Sequence, residues 1–126
     1  MEKIILAGTY DTPEIYLSKE ENRFEFSGKS LPEDVNAFYG KILNWVQEYV
    51  AAPNPKTIVD FRLTYFNTSS SKILLDIMMK LEEIPDTGNE IIIRWHYLEY
   101  DEDMLLAGKE YAEMVEIPFE FVPYHS

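Results

Sequence analysis

From Glu14 onward apolar and polar residues alternate. Ile15 and Leu17 share one side, and after the polar stretch 19–22, Phe24 and Phe26 take up the same beat. Period-two alternation on both sides of a charged turn predicts a β-hairpin, with strands near 14–19 and 23–28 and Gly28 closing it. Residues 1–12 read as a short apolar lead-in with no element of their own. The period then becomes helical. Val35, Phe38, Ile42, Trp45, Val46, Tyr49 and Val50 recur at helical spacing. Ser30-Leu31-Pro32-Glu33 matches a capping box with a proline in the first turn, so a helix is predicted over 32–51, stopped by Pro53 and Pro55.

The same reading continues along the chain. A strand over 57–65 has Val59, Phe61, Leu63 and Tyr65 on one side and Asp60, Arg62 and Thr64 on the other. A helix over 68–84 has the stripe Ile73, Leu74, Ile77, Met78, Leu81 and Ile84, with Lys72, Asp76 and Lys80 spaced for weak i, i+4 pairing on its outer face. Residues 85–88 form a turn. A strand over 90–98 sets Ile91, Ile93, Trp95 and Tyr97 against Arg94 and His96. Asp101-Glu102-Asp103 opens a helix over 102–115, and a last strand covers 118–123.

A hairpin followed by strands separated by single helices predicts an α/β fold in one domain, 1–126. Right-handed crossovers make part of the sheet parallel and place the helices mainly on one face. A strand covered on both sides would be apolar throughout. The observed alternation therefore predicts a second, open face carrying Arg62, Thr64, Arg94 and His96, as a binding surface or simply a solvated one.

Charge narrows the partners. Eleven basic against 23 acidic residues give a formal net charge of −12. Such a surface repels nucleic-acid phosphates and anionic lipid and suits contact with other proteins. The absence of cysteine removes disulfides, thiolate metal sites and a thiol nucleophile. Without a run long enough to span a bilayer, or a leader, the default location is the cytoplasm.

Most motifs have a plain structural account. Asp86-Thr87-Gly88 matches the aspartic-protease triplet, but that chemistry needs two carboxylates, and a turn is required here anyway. Ser69 and Lys72 form an S-x-x-K pair, leaving a small serine hydrolase as an alternative, although the companion motifs are missing. His96 and His125 lack companion ligands at metal-site spacing. Asp101-Glu102-Asp103 offers oxygen ligands to a cation, but the helix dipole favours reading it as an acidic helix start. No glycine-rich phosphate loop follows any strand, and no cofactor is expected.

Residues 65–72, YFNTSSSK, stand apart. A cap needs one hydroxyl or amide, from Asn67 or Thr68, yet four hydroxyls follow one another. A hydroxyl at a helix start is within a kinase's reach, and a phosphate there is favoured by free N–H groups and the helix dipole. The alternative is an adaptor that is never modified.

YFNTSSSK resembles the signature of the SiaC family of bacterial regulatory phosphoproteins. The resemblance extends to Thr9-Tyr10-Asp11-Thr12-Pro13, to Ser30-Leu31-Pro32-Glu33-Asp34 with Phe38-Tyr39, and to Trp95 with Asp101-Glu102-Asp103 and Gly108. Asp34 stands where the family usually has Asn. The resemblance implies a STAS-like domain, a mixed sheet with helices on one face. It also implies a non-enzymatic partner switch with Thr68 as phosphoacceptor. Its partners would be a dedicated Ser/Thr kinase, a metal-dependent phosphatase and a diguanylate cyclase activated by the unphosphorylated form. Around Thr68, residues Tyr65, Asn67, Ser69, Ser70, Ser71 and Lys72 would form the partner surface, the three serines keeping the helix start small, polar and exposed.

Overall fold

A computed structural model describes residues 1–125. Among them one sheet takes its strands in chain order: β1 (Ile4–Leu6), β2 (Glu14–Ser18), β3 (Arg23–Ser30), β4 (Lys56–Phe66), β5 (Glu90–Leu98) and β6 (Phe119–Tyr124). β1, β2 and β3 run antiparallel, and β3 to β6 run parallel. Three helices make the crossovers: α1 (Val35–Ala51), α2 (Thr68–Leu81) and α3 (Glu102–Met114). Each crossover advances one strand in the same direction, so a common right-handed sense stacks all three helices on one face. The expected mixed α/β architecture is the one observed.

The core lies between that face and the helices. It is aromatic-rich: Phe26 stacks on Phe61 at 4.8 Å between centroids, and Trp45 stacks on Tyr49 at 5.4 Å. α3 reaches the sheet by way of Gly108. A Cβ at that position would lie 2.4 Å from the Trp95 ring, so only glycine lets the helix backbone rest on the indole. The same indole donates its N–H to the Met104 carbonyl at 2.9 Å. No helix among the described residues is long and apolar enough to cross a membrane.

Several local expectations change. The lead-in contains β1, whose three residues are too few to show a period. β3 runs past Gly28 to Ser30, and α1 begins at Val35 with Asp34 as its cap, accepting from Ala37 N–H at 3.0 Å. Ser30 is therefore not a capping-box residue; it belongs to the strand and is fully buried. α2 stops at Leu81, and Ile84–Thr87 form a separate 3₁₀ turn closed by Gly88 at φ +84°. Lys80 pairs with Glu83 at 3.4 Å, while Lys72 and Asp76 form no ion pair among the described residues.

Candidate functional site

The site begins with one extra residue. Gly28 of β3 pairs with Leu63 of β4, but Lys29 pairs with Tyr65, which leaves Thr64 without a partner on β3. Gly28 sits at φ +96°, a left-handed value that favours glycine, so the chain can bend at this shift. Beyond it β4 reverses its alternation. Tyr65, expected to share the side of Leu63, turns outward and is 54% exposed. Phe66 turns inward, edge-on to Trp95 at 6.2 Å. Asn67 is the cap of α2: its side-chain oxygen accepts from Ser70 N–H at 2.9 Å, and its carbonyl accepts from Ser71 N–H at 2.9 Å. Thr68 is then the first helical residue.

The four hydroxyls divide into two pairs. Thr68 and Ser69 are exposed. Ser70 is fully buried and donates to the Ser30 carbonyl at 2.9 Å. Its only proton is thereby used, so Ser70 Oγ accepts from Ser30 Oγ at 2.8 Å. Ser30 Oγ, its own proton spent, accepts from the buried Tyr39 hydroxyl at 2.6 Å. Ser71 is half-buried, and Tyr111 of α3 donates to its carbonyl at 2.8 Å. Burial pushes the Tyr39 phenol up to about 12, and burial likewise raises that of Tyr111. The idea of three exposed serines is thus corrected for Ser70 and Ser71, and Ser70 cannot itself touch a partner. The signal was in the helical spacing: Ser70 precedes Leu74 by four and Ile77 by seven, on the buried stripe.

Four chain segments meet here, at the carboxyl ends of the parallel strands. The 9–13 loop is tied in by the Asp11 carbonyl, which accepts from Leu31 N–H at 2.8 Å, and Lys29 lies over the Tyr10 ring at 4.8 Å. The Ser30 carbonyl also accepts from Asn67 N–H at 3.1 Å. A cleft of about 350 Å³ joins Tyr65 and Phe66 to Asp101, Asp103 and Met104. On the other flank a cleft of about 300 Å³ is lined by Val35, Asn36, Ser69, Lys72, Ile73 and Asp76. The first cleft is acidic, and the second carries both the Lys72 ammonium and the Asp76 carboxylate.

Residues 6–124 match the SiaC family, described as SiaC family regulatory phosphoprotein. The chain belongs to the SiaC family. An uncharacterized protein of Pseudomonas aeruginosa (strain UCBPP-PA14) is 33% identical over 119 residues, 94% of each chain. Apo-SiaC of P. aeruginosa superposes with a TM-score of 0.86 at 31% identity, covering 97% of this chain and 99% of that one. SiaC solved in complex with the diguanylate cyclase SiaD, whose activator it is, superposes at 0.89 with 31% identity, covering 96% and 99%.

Of the remaining candidates in this SiaC-family chain, Ser69 stands in α2's first turn and Asp101 in the cleft beside it, whereas the histidines and Asp86 make no side-chain hydrogen bond to α2's start among the described residues. Ser69 has no side-chain hydrogen bond among the described residues, and neither histidine is bonded to it. His96 Nε2 bonds Asp60 at 2.7 Å on the open face, and His125 pairs with Glu99 at 2.6 Å. Asp101 caps α3, accepting from Met104 N–H at 3.0 Å, and Asp86 stands in the 3₁₀ turn. Arg62, Arg94 and His96 share the open face as expected, gathered around Asp60, while Thr64, at the register shift, is exposed and lines the cleft with Asp101 and Asp103. On the open face Arg62 lies between Glu25 (3.9 Å) and Asp60 (3.8 Å), and Arg94 pairs with Glu120 at 3.0 Å.

Proposed function

We propose that this SiaC-family protein is a non-enzymatic partner switch set by phosphorylation of Thr68. The observation that carries the reading is the exposure of Thr68 at the first helical position of α2, where the four family-like segments converge. A phosphate there adds about −1.5 to −2 charges. The helix start and Lys72, one turn further on, favour it, while the acidic rim at Asp101 and Asp103 opposes any tilt toward α3. Bulk and charge then block a partner surface formed by Tyr65, Asn67, Ser69 and Lys72, and the fold stays as it is.

The output partner is a diguanylate cyclase, by likeness to SiaC, whose complex with SiaD pairs an activator with such an enzyme. A dedicated Ser/Thr kinase writes the mark and a metal-dependent phosphatase erases it, both in the cytoplasm, where the kinase's nucleoside triphosphate is. The unphosphorylated form is the one that binds the cyclase.

The test is a titration of the cyclase with unmodified, phosphorylated and Thr68→Ala protein. Asn67, not Thr68, is the cap, so Thr68→Ala should change stability by no more than about 0.5 kcal/mol. That variant should resist the kinase and still bind, and Thr68→Asp should bind more weakly. Equal affinity of modified and unmodified protein would end the proposal.

A further inference from the structure

We infer that Ser30, Tyr39 and Ser70, together with Tyr111 on Ser71, are positioning residues that determine which hydroxyls of the 68–71 cluster the helix presents. This deepens the Thr68 reading, on which only its modification arm rests. Four adjacent hydroxyls offer a kinase four similar targets in sequence. The fold offers two, because successive residues of a helix point about 100° apart and α2 is held at one rotation.

The hold is directional. Tyr39 donates to Ser30 Oγ, Ser30 Oγ to Ser70 Oγ, and Ser70 Oγ to the Ser30 carbonyl. Reversing the hydroxyls would leave the buried Tyr39 O–H without an acceptor, so the chain has one satisfied arrangement among the described residues. Its last acceptor, the Ser30 carbonyl, also receives the Asn67 N–H. The cap and the first turn are thus tied to a single point of β3, and α1 is linked to the same point through Tyr39. Tyr111 adds a tie from α3 at Ser71.

The covalent step shows why this selects. A kinase moves the terminal phosphoryl group of a nucleoside triphosphate onto a hydroxyl oxygen. The bond to the diphosphate breaks, a P–O bond to Oγ forms, and the hydroxyl proton passes to a base on the kinase. Ser70 Oγ is out of reach, and its proton is already committed to the Ser30 carbonyl. Thr68 and Ser69 make no side-chain hydrogen bond among the described residues, and their oxygens and protons are free for transfer.

Two measurements on full-length protein test this. In the first, amide exchange is followed by NMR in wild type, Tyr39→Phe and Tyr111→Phe, near-isosteric changes that each remove one hydroxyl. The Ser70 and Ser71 amides should exchange about three- to tenfold faster, the range one hydrogen bond controls. The amides of Ile77, Met78 and Leu81 should be unchanged. A uniform rise along α2, or none at the first turn, would overturn the positioning role. In the second, wild type, Tyr39→Phe and Ser30→Ala are re-expressed in the source cells and phosphosites are mapped by mass spectrometry. Wild type should carry none on Ser70 or Ser71, and the variants should gain some there. Phosphate on Ser70 in wild type would refute the proposal. A localised exchange effect with no phosphate on any hydroxyl would support the positioning residues and refute Thr68 as the switch.

Discussion

Two rows of residues cross the sheet side by side, one position apart in every strand. Ile15, Phe26, Phe61, Trp95 and Phe121 form one row; Tyr16, Glu25, Asp60, Arg94 and Glu120 form the other. The first faces the helices, and Phe26, Phe61 and Trp95 are joined ring to ring at 4.8 and 5.7 Å. The second faces out and is joined by ion pairs such as Arg94–Glu120. The backbone is shared, so the contrast is due to side chains and solvent alone. Inside, each contact is made once and has no substitute. Outside, water and other charges compete for every partner.

The largest effect that would test this contrast is Gly108→Ala. The new methyl meets the Trp95 ring, which is buried and flanked by Phe61, Phe66 and Tyr111, so helix or ring must move. A loss of about 3 kcal/mol is expected by urea unfolding. A loss near zero would mean that α3 does not rest on the indole.

A smaller effect should appear in alkali. Burial raises the Tyr39 phenol from 10.0 to about 12. Below pH 10 the phenol is neutral in both states and its full contribution is present. Between those values the unfolded chain ionises first, so stability falls as pH rises, by up to about 2–3 kcal/mol from this group. The slope should be shallower in Tyr39→Phe; identical slopes would indicate a phenol already open to water.

The smallest effect belongs to the open row. A double-mutant cycle on Arg94 and Glu120 should give a coupling below about 1 kcal/mol that shrinks further in salt. A coupling as large as the Gly108 effect would erase the distinction between the faces.

The two rows also mark what was legible in the sequence. Alternation in 57–63 and 90–97 is a local pattern and assigned these faces correctly. Tyr65 and Phe66 broke the rule because their orientation depends on a register shift against Lys29 and Ser30 of β3, 36 residues earlier in the chain. Ser30 misled for a related reason. Its spacing to Glu33 imitates a capping box, whereas its partners are Tyr39 and Ser70. The YFNTSSSK segment was recognisable as the candidate site from sequence. Which of its hydroxyls face in was partly readable, since Ser70 lies on the Leu74–Ile77 stripe. Ser71's tie to Tyr111, from a helix later in the chain, had no local trace.

The strand order repeats the chain order, and this bears on how the protein is made. Each new parallel strand adds at the edge left by the one before, and none has to insert between strands already paired. During synthesis from the amino end the sheet can therefore grow in a single direction, with each loop closure spanning one turn or one helix. Until β6 arrives, the outer edge of β5 is a bare row of backbone donors and acceptors next to Ile93 and Trp95, a template for pairing with another nascent chain. β6 covers that edge, and Pro123, opposite Tyr97, lacks the N–H that a seventh strand would need at that point.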